Sequence, residues 1–154
     1  MYRIIIQHAA DKTLAPSSAL LRKWAKSTLR DQIEVAEITI RLVSIEEMTQ
    51  LNESYRHKKG PTNVLSFPFS MPNNIEIDPP ILGDIVICSE VIHREAHEQG
   101  KTTDAHWAHM IVHGIFHLLG YDHVIDSEAE IMESLEIKCM QAMGFPNPYK
   151  MENI

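Results

Sequence analysis

Nine histidines are many for 154 residues, and seven of them (His93, His97, His106, His109, His113, His117 and His123) fall between positions 93 and 123. Neutral imidazole is the commonest side-chain metal ligand. One run, His113-Gly-Ile-Phe-His117-Leu-Leu-Gly120-Tyr-Asp-His123, has the spacing an ion needs. Four residues of α-helix overshoot one turn by only about 40°, so His113 and His117 project from the same face, one turn apart. Zinc prefers tetrahedral ligands, so a third imidazole has to approach from another direction. Gly120 can take positive φ, end the helix and turn the chain back, which delivers His123. Three neutral imidazoles leave one coordination position for water, the catalytic rather than the structural pattern. Water held there has a pKa of about 7 and is a nucleophile at neutral pH. The run therefore predicts a metal-dependent hydrolase with one Zn2+ on His113, His117 and His123. Nickel, copper and iron also bind imidazole.

Other side chains could serve such a site. Tyr121 and Asp122 lie between the second and third ligands, where either can orient a ring. His106 and His109 continue the stripe of His113 toward the helix start; lining the mouth of the site and hydrogen bonding in the core are both open to them. His93 and His97 form another i, i+4 pair, but no third ligand follows, and Arg94, Glu95 and Glu98 around them read as a solvated face. Arg56, with Lys58 and Lys59, opens a locally basic loop. A guanidinium there can grip a phosphate with two parallel hydrogen bonds and stabilise charge developing on phosphorus; a solvated surface loop is the plainer reading. Arg22, Lys23, Lys26 and Arg30 make a second basic stripe, equally consistent with tracking a phosphate backbone and with an exposed helix face. Asp84 and Asp122 are candidates for a general base on chemistry alone.

The elements that must position these residues follow from periodicity and punctuation. Residues 2–8 read as a strand. A helix opens at Pro16 and runs to about Asp31, burying Leu20, Leu21, Trp24, Ala25 and Leu29. Residues 35–43 alternate as a half-buried strand. Ser44 and Glu47 form a capping box for a helix to about Tyr55. Residues 56–63 are a loop with a Gly60-Pro61 turn, and 64–69 an edge strand, because Pro68 cannot donate to a ladder. Residues 70–82 read as a loop and 84–89 as an interior strand. Ser89 caps a helix to Gly100, Thr103 or Asp104 caps the metal helix to Leu119, and Ser127 with Glu130 opens a last helix to Met143. The expected fold is α+β (mixed α/β), one small sheet with about five helices, as a single metal-dependent hydrolase domain over 1–154.

Composition narrows the class. The chain is 44% hydrophobic and 23% charged, a globular profile, and no window approaches the ~20 apolar residues of a membrane helix. Cys88 and Cys139 sit apart in apolar contexts, as buried thiols of a reducing compartment do, so a cytoplasmic protein without a membrane partner is expected. A formal charge of −7 argues against a general nucleic-acid-binding domain, which is net positive.

The frame His-x-x-x-His-x-x-Gly-x-x-His resembles the zinc frame of the metzincin proteases, which place glutamate directly after the first histidine as general base. Here that position is Gly114. The full string from His113 to His123, with residues 52–69 (NESYRHKKGPTNVLSFPF) and the block Gly83-Asp-Ile-Val-Ile, resembles the signatures of the YbeY family of bacterial rRNA maturation factors. That resemblance implies a four-stranded sheet packed with helices, and a zinc-dependent, single-strand-specific endoribonuclease in the cytoplasm. It implies action in 16S rRNA 3′-end maturation and ribosome quality control. Its partners would be single-stranded RNA, the small ribosomal subunit and assembly factors, not DNA. The zinc ligands fall on His113, His117 and His123, and the family's important arginine on Arg56. The expected mechanism holds RNA between the histidine helix and the edge strand; Phe67 or Phe69 could stack on a base there, although their pattern suits core packing better. The rival readings are a metalloprotease-like hydrolase and a non-catalytic ribosome-assembly factor with a structural zinc.

Overall fold

The computed structural model describes residues 1–71 and 77–149. Four strands and five helices follow one another as β1 (Tyr2–His8), α1 (Ser18–Leu29), β2 (Ala36–Val43), α2 (Ile45–Tyr55), β3 (Val64–Pro68), β4 (Ile81–Cys88), α3 (Ser89–Gln99), α4 (Thr103–Leu118) and α5 (Asp126–Ala142). A single 3-10 turn, Lys12–Leu14, precedes α1. The strands form one mixed sheet in the order β1-β2-β4-β3, with β1, β2 and β4 parallel and β3 antiparallel to β4. The expected α+β architecture is the one observed. Strand β3 is the edge, where Pro68 costs no ladder bond, and β4 is interior.

Alternation along the strands decides which layer each residue joins. Ile38, Ile40 and Leu42 of β2 and Ile85 and Ile87 of β4 are buried in the larger core, with Leu21 and Trp24 of α1 and Trp107, Ile111 and Ile115 of α4. Val43, Val86 and Cys88 belong to a smaller cluster with Met48 of α2. Helix α4 lies in the larger core and is buried nearly all round, Ala105 to Leu118. Its buried body explains why only its last turns can present chemistry to a surface.

Several helix starts differ from the sequence reading. Helix α1 is capped by Ser17, whose Oγ accepts from the Leu20 N–H at 3.2 Å, so Pro16 precedes the cap instead of opening the helix. Thr102, not Thr103 or Asp104, caps α4 through a bond from the Ala105 N–H. Ser89 is the first residue of α3 and its hydroxyl caps nothing. Helix α5 begins at Asp126 after Ile125, without a side-chain cap, so the Ser127–Glu130 box does not form. At α2 half the box forms: Ser44 Oγ accepts from the Glu47 N–H, while the Glu47 carboxylate accepts two bonds from Arg41, at 2.8 and 3.1 Å. Strand β4 starts at Ile81, inside the stretch read as loop 70–82, of which residues 72–76 lie outside the described residues.

Candidate metal centre

Helix α4 ends at Leu118, and the next two residues execute the reversal. The Gly120 N–H donates to the His117 carbonyl and the Tyr121 N–H to the Phe116 carbonyl, at 3.1 and 3.0 Å. Gly120 has φ +102°, a conformation that side chains with a Cβ rarely adopt. The turn carries His123 back over α4, where its ring centroid lies 5.5 Å from that of His113 and 5.0 Å from that of His117. One ring nitrogen from each of His113, His117 and His123 lies within 4.8 Å of the others. The Nε2 atoms of His113 and His117 are 3.1 Å apart. Two imidazoles on one tetrahedral zinc, with Zn–N of about 2.05 Å, stand about 3.3 Å apart, so this pair is already at ligand spacing. Burial, then the neighbouring His113 and His123 rings, push the His117 pKa below the ordinary histidine value, which favours the neutral ring an ion requires. The donor set fits an imidazole-binding ion.

A residue the sequence reading missed sets the orientation of His113. Glu136, on α5 and 1% exposed, accepts from His113 Nδ1 at 3.1 Å and from His109 Nε2 at 2.8 Å on one oxygen. Its other oxygen accepts from the Tyr149 hydroxyl at 2.9 Å. Burial would raise the Glu136 pKa, but the bonds from His109 and His113 outweigh it and hold the carboxyl at about 2. An ionised carboxylate on Nδ1 leaves Nε2 with its lone pair toward His117, the arrangement that outer partners impose on metal-binding histidines. Tyr149 is held protonated by burial and by the Glu136 charge beside it, so it stays a donor. Of the two residues expected to orient a ligand, Tyr121 donates instead to Gln32, and Asp122 accepts from the His123 backbone N–H.

His106 and His109 take the core option, at 3% and 6% exposure. His106 Nε2 donates to Glu95 at 2.8 Å, and Glu95 also accepts from Asn63 Nδ2 at 3.0 Å. His93 is not on a purely solvated face, since its Nε2 meets the Leu14 carbonyl, whereas His97 is exposed.

The three rings open onto a cleft of about 570 Å³ between the end of α4 and strand β3. Arg56 and Lys58 also line it, with Asn63 just before strand β3 and Ser66 on it. Strand β3 is pinned to α4 by Ser66 Oγ, which donates to the Gly114 carbonyl. The basic loop is ordered by Asn52, 4% exposed: its carbonyl accepts from the Arg56 and Lys58 N–H groups and its Nδ2 donates to the Gly60 carbonyl. Arg56 itself is exposed and has no carboxylate partner among the described residues. Phe67 is half-buried against Tyr55, a packing role, while Phe69 is exposed. Asp122 lines the cleft; Asp84 is exposed on β4 and does not line it. Gly114 points at the sheet: a Cβ there would come within 2.9 Å of Ile85 Cγ2. No side chain at 114 could reach the site as a protease's glutamate does.

Fold and site together define an α+β protein with three converging histidines in a cleft that Arg56 and Lys58 also line. A family model described as Endoribonuclease YbeY matches residues 6–144. A protein of that name from Nitrosococcus oceani is 50% identical over 145 residues, 94% of this chain and 95% of its own. One from Legionella pneumophila (strain Corby) is 50% identical over 151 residues, covering 98% and 96%. The chain belongs to the YbeY endoribonuclease family. The solution structure of TM1509 from Thermotoga maritima shares the fold, with a TM-score of 0.58 at 24% identity over 97% of this chain and 99% of that one.

Proposed function

We propose that this protein is a metal-dependent, single-strand-specific endoribonuclease that holds one zinc ion on His113, His117 and His123 and grips the scissile phosphate with Arg56. The endoribonuclease class comes with the family. The single observation that carries the finer reading is that Arg56 lines the same cleft as three histidines whose ring nitrogens lie within 4.8 Å of one another. A zinc ion there would act as Lewis acid toward a phosphate oxygen and lower the pKa of water. The protein's own groups do the rest. Arg56 binds two phosphate oxygens and compensates the charge that builds on them as water attacks and the ribose oxygen leaves. Lys58 adds charge beside it. Glu136 keeps the Nδ1 proton on His113. The cleft between α4 and β3 admits a strand that can bend, which favours unpaired RNA over duplex.

The substrate we propose is the 3′ region of the 16S rRNA precursor, met on the small ribosomal subunit with assembly factors, in maturation and quality control in the cytoplasm. Family resemblance supports this choice. Among the described residues no helix is long and apolar enough to cross a membrane. The test is cleavage of a labelled single-stranded RNA by metal-loaded protein, by protein treated with chelator, and by His113→Ala and Arg56→Glu. We expect cleavage by the first alone. Equal cleavage by all four would mean a contaminating nuclease and sink the proposal.

A further inference from the structure

We infer that the groove between α1 and α5 is a second RNA subsite, which takes the sugar-phosphate backbone of the strand running to or from the histidine cleft; this rests on the RNA-cleaving reading above. The groove measures about 1120 Å³. Its rim carries Arg22, Lys23, Lys26 and Arg30 from α1 and Lys138 from α5. All five are exposed, and among the described residues none has a carboxylate within 4.0 Å, although Asp31 and Asp104 also border the groove. Five unpaired cations in one groove of a chain with formal charge −7 are a local concentration that composition does not predict. A cluster of surface lysines and arginines without ion-pair partners is the footprint of a polyanion ligand.

The geometry favours a backbone over a base. Arg22, Lys26 and Arg30 are four residues apart, so they share a face in steps of about 6 Å, a ladder suited to successive phosphates of an extended strand. Arg22 is held in place by its Nε, which donates to the Ile4 carbonyl at 3.1 Å and leaves the rest of the guanidinium free. The aromatic rings at the floor, Trp24 and Phe116, are 4% and 2% exposed, too covered to stack on bases. Binding there is therefore independent of sequence.

The groove adjoins the histidine cleft through one side-chain contact. Gln32 lines the groove and Tyr121 lines the cleft, and the Tyr121 hydroxyl donates to Gln32 Oε1 at 3.1 Å. Phe116, under the groove, is the residue next to His117. A single strand leaving the histidines needs only to cross the Tyr121–Gln32 bridge to reach α1.

The test compares binding of the metal-free protein to two labelled single-stranded RNAs by fluorescence anisotropy. One spans the cleft alone, about 4–6 nucleotides; the other, of about 20, reaches both sites. The variants are Lys23→Glu/Lys26→Glu/Arg30→Glu and the neutral Lys23→Gln/Lys26→Gln/Arg30→Gln, which guards against misfolding from charge reversal. We expect the long RNA to lose tenfold or more in affinity with the first and several-fold with the second. The slope of log K against log salt should fall by about 2, since each phosphate that is no longer neutralised by a cation removes about 0.7 from it. The short RNA controls for the change in net charge and should lose far less. An unchanged affinity and salt slope for the long RNA overturns the inference and leaves the groove to an acidic protein partner. Equal losses for both lengths overturn it too. Because no cleavage is measured, a failure of the proposed nuclease function would appear separately, in the chelator assay.

Discussion

His106 and His109, in the first half of α4, are nearly sealed from solvent, and each ring gives a hydrogen to a carboxylate. His113 and His117, in the second half, open onto a cleft and turn one nitrogen apiece toward a common point. All four lie along one helix, at spacings of three or four residues. The difference is in what meets each ring. Burial lowers the pKa of His109 against the pull of Glu136, so its neutral ring serves as a fixed donor inside the core. The two sets are not independent, because Glu136 accepts from His109 and His113 through the same oxygen. The first half of the helix builds the support on which the second half works.

That division can be broken by exchange of its members. His117→Ala should reduce zinc affinity by about 100-fold or more, measured by competition with a chromophoric chelator, since it removes a ligand outright. His109→Ala should leave all three ligands in place; if it lowered zinc affinity as far as His117→Ala, the two halves would not differ in kind. Glu136→Gln comes next: its shape is kept but its charge is lost, and zinc affinity should fall about 10–100-fold. The ligand-field spectrum of cobalt-loaded protein should change with it.

Stability tests sharpen the core side. Glu95→Ala leaves the His106 donor buried without its partner and should cost about 1–3 kcal/mol in urea unfolding. Burial would raise the Glu95 pKa, but the bonds from His106 and Asn63 outweigh it and hold the carboxyl below its ordinary value. Its contribution is therefore full above the unfolded glutamate pKa and is lost as pH falls through the lowered folded value. The acid limb of a stability-against-pH curve should be shallower in Glu95→Ala than in the parent. The smallest effect belongs to His97, which is exposed at the end of α3: His97→Ala should stay within about 0.5 kcal/mol and leave zinc affinity unchanged.

Local physics explains what could be read in advance. The spacing of His113 and His117, the turn at Gly120 and the edge position of β3 each depend on a few neighbouring residues, and all three appear where the sequence puts them. Helix starts were less legible. Ser17 caps a helix that Pro16 was expected to open, and Thr102 caps where Thr103 or Asp104 was expected, because several residues able to start a helix cluster at these ends. Glu136 was not legible at all. It lies 27 and 23 positions from the histidines it holds, among other glutamates of an amphipathic helix, and only the packing of α5 on α4 singles it out. Asn52 is similar: its role in shaping the Arg56 loop depends on where that loop returns.

Gly114 has a consequence for redesign. Its α-carbon faces Ile85 of the central strand so closely that an added Cβ would stand 2.9, 3.2 and 3.3 Å from three of that side chain's atoms. A peptide-cleaving glutamate therefore cannot be installed here by one codon change. Ile85 would have to shrink in the same step, and cutting an isoleucine back to alanine in a packed core costs about 2–5 kcal/mol. On any mutational path from this scaffold toward protease chemistry, the first barrier is the sheet beneath the helix.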